Sequence, residues 1–348
     1  MKAAVFYDAE DIRIEDVPEP EIADDEVLVR VAACGVCGSD VEYYYGRSPV
    51  GTATGKGPLI LGHEFAGTIV EVGRSAARSG FAEGQRVAVN PIQSDATCDE
   101  TRSGRPQFSS NLSVLGVTTN GGFAELVKTK AEHAYRLPDS LSDEQGAFVE
   151  MLAASLHAVH KADVGMGDFV VVYGPGPVGL SAVQLLKHLG ARVMVVGTRP
   201  YRLELAKELG ADVVFDASSG ADLGEAIQEA NRGRLADRVL VATGSMAANQ
   251  EALAISGPGS TVVYMGVTSP DAAVSVPMLT SLIQDKTIRF SLWYPLEWPR
   301  TIRVMEQGIV STDRLITHAA PLGDIAQTIE RVVGREDGVI KAMIRPGA

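Results

Sequence analysis

Two short segments supply side chains that bind metals. Residues 34–40 read CGVCGSD and residues 62–64 read GHE. Cys37 offers a soft thiolate and His63 a borderline imidazole. Together with an oxygen donor and one open position they describe a catalytic zinc site, not a closed structural one. The chemistry this predicts is Lewis-acid activation of a small oxygenated substrate. A competing reading takes CGVC as a redox or structural C-x-x-C. No second C-x-x-C exists to complete a structural zinc, and no thioredoxin-like context surrounds this one, so Cys34 reads as a packed core cysteine.

A second constellation lies in DFVVVYGPGPVGLSAVQLLKHLGA, where Gly174, Gly176 and Gly179 take G-x-G-x-x-G spacing directly after a buried strand and at the start of a helix. That context is what a dinucleotide fingerprint requires: a tight turn, close approach of backbone to pyrophosphate, and close helix packing. The next strand, RVMVVG, would end in an acidic residue if a ribose diol were to be held. It ends instead in Gly197-Thr198-Arg199-Pro200-Tyr201-Arg202. Two guanidinium groups match phosphate geometry, so NADP is favoured over NAD. The alternative, that Arg199 and Arg202 are solvated residues at a helix start, stays open.

The elements that must position these groups fall into blocks. Up to about residue 130 the chain carries short β-patterned runs, among them VLVRVAA and FAGTIVEVG. From residue 151 the pattern turns helical, and buried strands then alternate with amphipathic helices, as in a parallel sheet wound with helices. After about 291 come the turn-rich WYPLEWP, two helices and a closing strand, VIKAMIRP. The 348 residues suffice for two cores, and the formal charge of −13 makes nucleic acid and anionic membranes poor partners. Three cysteines cannot make a disulfide framework, and neither a leader-like apolar segment nor an uninterrupted apolar run of spanning length occurs. A cytoplasmic protein is expected.

The spacing of CGVCGSD, GHE and the later glycine loop resembles the zinc-dependent medium-chain dehydrogenase/reductase superfamily, and within it the sorbitol (polyol) dehydrogenase branch. The resemblance covers essentially the whole chain. It implies an α/β protein with a GroES-like β-rich catalytic domain and a Rossmann, doubly wound parallel-sheet cofactor domain. The expected boundaries are 1–152 for the first part of the catalytic domain, 153–291 for the cofactor domain, and 292–348 for a segment returning to complete the first, with the catalytic cleft between the domains.

It further implies zinc ligands at Cys37, His63, Glu64 and Glu150, the last direct or through water. A carboxylate that fixes an arginine is the other reading of Glu64. Ser39 matches a proton-relay hydroxyl, though GSD is also good turn chemistry, and Asp40 a residue orienting the site. Tyr43 matches a substrate contact, and Trp293-Tyr294 replaces an Arg-Tyr pair of the family. Cofactor contacts are implied at Gly174, Gly176, Pro177, Val178, Gly179, Thr198, Arg199, Arg202, Thr243, Gly266 and Lys341. A lobe with four cysteines for a second zinc is represented by Asp95, Cys98, Thr101 and Ser109, so one catalytic and no structural zinc is expected. The implied function is hydride transfer between NADP(H), less favoured NAD(H), and a secondary alcohol or ketone of a polyol, sugar-derived or diol substrate, in a homodimer or homotetramer. The competing classes are a zinc-free quinone or enone reductase and a non-catalytic nucleotide-binding sensor.

Overall fold

The computed structural model describes residues 1–48, 57–334 and 338–348. Contacts divide the chain into two compact units, Met1–Met151 with Pro295–Ala348, and Leu152–Tyr294.

The first unit is built on a seven-stranded sheet around Glu26–Gly35. This strand pairs antiparallel with Glu64–Val72, Leu126–Lys130 and Lys341–Arg345. Its sequence EVLVRVAACG is buried at most positions, which suits a strand hemmed in on both sides. The closing strand Lys341–Arg345 also pairs in parallel with Ile316–Pro321. The last segment of the chain is thus part of the sheet formed by the first.

The second unit holds a six-stranded parallel sheet in the order Val213–Asp216, Arg192–Gly197, Phe169–Tyr173, Ala236–Val241, Ser256–Tyr264, Thr287–Phe290. Phe169–Tyr173, reading FVVVY, is buried at every position, as expected of a strand covered by helices on both faces. Strand order reverses on either side of Phe169–Tyr173, and the crevice beyond its carboxyl end is where such sheets bind nucleotides. Among the described residues no helix is long and apolar enough to cross a membrane.

Candidate active site

Strand register decides what meets at the metal-binding segments. Gly35 stands opposite Glu64 on one side and opposite Met343 on the other. Cys37 lies two residues past its strand, at the start of helix Gly38–Tyr44, and His63 lies just before strand Glu64–Val72. Consequently one ligand atom each from Cys37, His63 and Glu64 lie within 4.8 Å of one another. Glu150, on helix Asp143–Ala162, is buried nearby but outside this trio.

Asp40 braces the imidazole. Its Oδ2 accepts the Cys37 backbone N–H at 2.8 Å, and its Oδ1 accepts that of Gly62 at 3.4 Å. Oδ1 also lies 3.5 Å from His63 Nδ1, an ion-pair separation too poorly aligned for a hydrogen bond. A carboxylate at Nδ1 leaves Nε2 to face a ligand, and Ser39 Oγ is 3.4 Å from that nitrogen. Burial works against charge on His63, but Asp40 and Cys37 outweigh it, and the imidazole pKa is raised well above its ordinary value. The site therefore attracts positive charge. With a thiolate, an imidazole and a carboxylate each offering one ligand atom to a common place, the donor set fits a zinc ion.

Glu64 has a second neighbour that local sequence did not reveal. Lys341 Nζ donates to Glu64 Oε1 at 2.6 Å and to the Val36 carbonyl at 3.1 Å, and it also touches Glu64 Oε2. Both side chains are buried. Burial opposes the ammonium charge, yet Glu64, Cys37 and Glu150 prevail, and the Lys341 pKa is raised. Gly35 makes room for the pair, since a Cβ there would lie 2.1 Å from Glu64 Oε2 and 3.1 Å from Lys341 Cε. The resemblance assigns Lys341 to the cofactor; the structure puts its ammonium on Glu64. The partner of Glu64 is a lysine, not an arginine. One signal for it was legible, a charged residue interrupting the apolar run VIKAMI.

Elsewhere in the first unit, Cys34 is fully buried, and burial pushes its thiol pKa well up, as for an inert core cysteine. The Tyr43 hydroxyl is also buried and donates to the Val117 carbonyl at 3.5 Å. The lobe positions converge without a set of thiolates. Cys98 Sγ is hydrogen-bonded with Thr101 Oγ1 at 3.2 Å and Ser109 Oγ at 3.3 Å, and Ser109 Oγ accepts the Asp95 N–H at 3.0 Å.

In the second unit, Gly174 ends the first turn with a φ of 91°, and a Cβ there would lie 2.8 Å from the Ala242 carbonyl oxygen. A Cβ on Gly179 would lie 2.1 Å from the Gly174 carbonyl oxygen, so this glycine lets helix Pro177–His188 pack on the turn. At Gly176 the nearest atom to a Cβ is Arg202 Nη1, 4.0 Å away. Open space therefore borders the middle glycine, beside the helix start formed by Pro177 and Val178, with a guanidinium at its edge. Arg199 precedes helix Pro200–Glu208 and Thr198 is exposed. Gly197 is in register with Asp216, whose Oδ1 accepts the N–H and hydroxyl of Ser218 at 2.9 and 2.6 Å. Thr243 and Gly266 adjoin, a Cβ on Gly266 lying 2.1 Å from the Thr243 carbonyl oxygen. Trp293 and Tyr294 are half-buried, and Trp293 takes a φ of 58°, a region that bulky residues rarely adopt.

Comparison with known proteins agrees with both halves of this description. The alcohol dehydrogenase GroES-like domain family matches residues 23–139, and the zinc-binding dehydrogenase family matches residues 177–307. The sorbitol dehydrogenase of Bacillus subtilis (strain 168) is 33% identical over 350 residues, covering 99% of this chain and 97% of that protein. A protein of Sinorhizobium meliloti 1021, described as a zinc-binding dehydrogenase and bound to NADP, superimposes with a TM-score of 0.92 at 30% identity over 99% of each chain. A short chain alcohol dehydrogenase of Escherichia coli CFT073, complexed with NADH, gives 0.91 at 29% identity, again over 99% of each chain. Matched along nearly its whole length in sequence and in fold, the chain belongs to the zinc-dependent medium-chain dehydrogenases and is an oxidoreductase acting on CH–OH groups with a nicotinamide cofactor.

Proposed function

We propose that the protein transfers a hydride between NADP(H) and the secondary alcohol or ketone of a polyol, sugar-derived or diol substrate, with one zinc ion held by Cys37, His63 and Glu64. The convergence of those three side chains carries the reading. Zinc bound there supplies Lewis acidity toward the substrate oxygen. Asp40 sets a negative charge 3.5 Å from the imidazole, and Ser39, whose Oγ lies 3.4 Å from His63 Nε2, is the proposed relay that takes the substrate's hydroxyl proton and passes it outward. Glu150 is the further carboxylate available to the site. A zinc-free quinone or enone reductase would have no use for the trio, and neither would a nucleotide sensor.

Similarity to the Bacillus subtilis sorbitol dehydrogenase supports a polyol-like substrate. Tyr43 in the first unit is a proposed substrate contact, and Trp293 and Tyr294 in the second stand in place of the family's Arg-Tyr pair, which leaves one guanidinium fewer. Two structural neighbours carry different nicotinamide cofactors, so this chain's own residues must decide. The second strand ends without a carboxylate, one oxygen of the carboxylate in register with its end, that of Asp216, is taken by Ser218, and Arg202 Nη1 lies at the edge of the glycine loop. These favour NADP. A charge-assisted contact contributes about 1.5–3 kcal/mol, so Arg199→Ala should raise the KM for NADP about ten-fold or more while leaving that for NAD nearly unchanged. Steady-state kinetics with both cofactors, over a panel of alditols, sugar acids, cyclitols and short diols, tests both halves. A wild type preferring NAD, or equal loss for both cofactors, refutes the 2′-phosphate assignment.

A homo-oligomer joined at one edge of the parallel sheet, the one formed by Thr287–Phe290, is part of the same proposal. Thr287–Phe290 is that edge strand. On it and on helix Met278–Ile283, Met278, Leu279, Leu282, Ile283 and Phe290 are each at least 70% exposed. Exposed apolar side chains beside an open strand edge are what a second copy would cover.

A further inference from the structure

Helix Asp143–Ala162 carries a serine where it runs into the second unit, and that serine reaches the glycine loop. Ser155 is fully buried, and its Oγ donates to the Val178 carbonyl at 3.0 Å. Serine is a middling helix former, and its hydroxyl is costly to bury unless hydrogen-bonded. Val178 stands in the first turn of helix Pro177–His188, the turn that a G-x-G-x-x-G sequence presents to a pyrophosphate. Open space borders Gly176 in that turn, where a Cβ would have no neighbour nearer than Arg202 Nη1 at 4.0 Å, so a phosphate has room.

The donors of the turn are few. Pro177 has no N–H, and the Leu180 N–H is committed to the Gly176 carbonyl at 2.9 Å. The N–H groups of Val178 and Gly179 precede that first rung of the helical ladder. The Val178 carbonyl and the Gly179 N–H belong to one rigid peptide plane and point in opposite directions. Holding the carbonyl therefore fixes where the Gly179 N–H points, and a hydrogen bond at one end of a peptide polarises the other. A carbonyl has two lone pairs, so the serine bond adds to the helix's own ladder without displacing it. Gly179 is itself tightly placed, since a Cβ on it would lie 2.1 Å from the Gly174 carbonyl oxygen.

We infer that Ser155 is a positioning residue for the cofactor. Through the Val178 carbonyl it locks the Val178–Gly179 peptide, so that the Gly179 N–H is directed at the dinucleotide's pyrophosphate before the dinucleotide arrives. A donor set in place beforehand spares binding the cost of ordering it. Pyrophosphate is common to NADP and NAD, so the inference rests on the nicotinamide cofactor and not on the 2′-phosphate assignment.

Dissociation constants of NADPH and NADH for the zinc-loaded, full-length protein, read from nicotinamide fluorescence, test the inference apart from turnover. Ser155→Ala should raise both by the same factor, about three- to ten-fold, the weight of one neutral hydrogen bond. ADP-ribose, which keeps the pyrophosphate, should weaken alike as a competitor, while adenosine, which lacks it, should compete as it does with wild type. In steady state the loss belongs in the KM for cofactor, with kcat at saturating cofactor not lowered. Undiminished binding of both dinucleotides by Ser155→Ala overturns the inference. So does an equal weakening of adenosine, which marks a general disturbance of the second unit, and so does a fall in kcat with KM unmoved, which places the effect at Glu150 on the same helix. Ser155→Cys, of similar size but a weaker donor, gives the reading if Ser155→Ala does not fold: wild-type affinity refutes a role for the hydroxyl, and weakened dinucleotides with adenosine unchanged support it. A wild type that binds neither dinucleotide would instead overturn the cofactor reading itself.

Discussion

Zinc and the proton compete for His63, and the competition can be read as a pH profile. In the metal-free protein Asp40 and Cys37 hold the imidazole pKa above its unfolded value. The sign follows from linkage: protonated His63 stabilises the fold fully below the ordinary imidazole range, and that contribution is lost as pH rises through the raised folded value. Zinc requires the neutral ring, so its affinity should climb as the proton leaves. Across the window between the ordinary value and the raised one, His63 alone contributes about ten-fold in zinc affinity per pH unit, or about 1.4 kcal/mol. Asp40→Asn removes the negative charge 3.5 Å from Nδ1 while keeping an oxygen to accept a backbone N–H. It should move the break in the profile to lower pH and reduce stability by about 1–3 kcal/mol, because a buried acceptor is replaced by a poorer one. Chelator competition across a pH series, on wild type and variant, measures both effects. Zinc affinity that is flat through the window, or a profile that Asp40→Asn leaves in place, would refute the account of the field around His63.

Other outcomes follow from the same geometry. Ser39→Ala should lower turnover more at low pH than at high pH, because a relay matters less when solvent base is plentiful; a uniform loss in the pH–rate profile would reduce Ser39 to a structural residue. Ser109→Ala removes the group that joins Asp95 to Cys98, and should cost about 1 kcal/mol in urea unfolding with no change in metal content, whereas elemental analysis giving two tightly held zinc ions per wild-type chain would contradict a lobe held by hydrogen bonds. Phe290→Lys, placing charge on the open strand edge, should shift the molecular mass seen in light scattering toward the monomer, and an unaltered mass would remove that edge from the interface.

The groups that announced themselves in the sequence did so through short strings. Cys37 and His63 sit beside glycines in segments too polar for the strands they interrupt, and the glycine loop carries its strand and helix on either side. Lys341 stands out as a charge within the apolar run VIKAMI, but its partner could not be read this way, because it meets Glu64 across 277 positions. Only the register of the returning strand, with Met343 opposite Gly35, brings the ammonium to the carboxylate. The change of pattern near residue 151 was visible in periodicity, but a return of the chain is a matter of pairing, which periodicity does not encode. The lobe gives a third case. The sequence reported the loss of its cysteines, yet not that Asp95, Cys98, Thr101 and Ser109 still converge, since small hydroxyls carry no distinctive spacing of their own. Trp293 shows the limit from the other side: nothing in its residue type predicts a positive φ, so tertiary contacts must impose it.

Charge balance explains why such a site belongs with a metal. Cys37, Asp40, Glu64 and Glu150 bring four acidic groups to one buried neighbourhood, where Lys341 is the ammonium that answers them. Asp40 and Glu64 are fully buried and Glu150 nearly so. Hydrogen bonds from Cys37 and Gly62 ease the burden on Asp40, but a formal surplus of negative charge in a low-dielectric interior works against folding. The raised pKa of His63 is one response to that surplus, drawing in a proton where it can. A divalent cation is a stronger response, because it binds the donor atoms themselves. Any ion that binds only the folded chain adds to its stability in proportion to the logarithm of its concentration over its dissociation constant. The residues that would polarise a substrate are therefore the same ones that make the metal-loaded protein the more stable form.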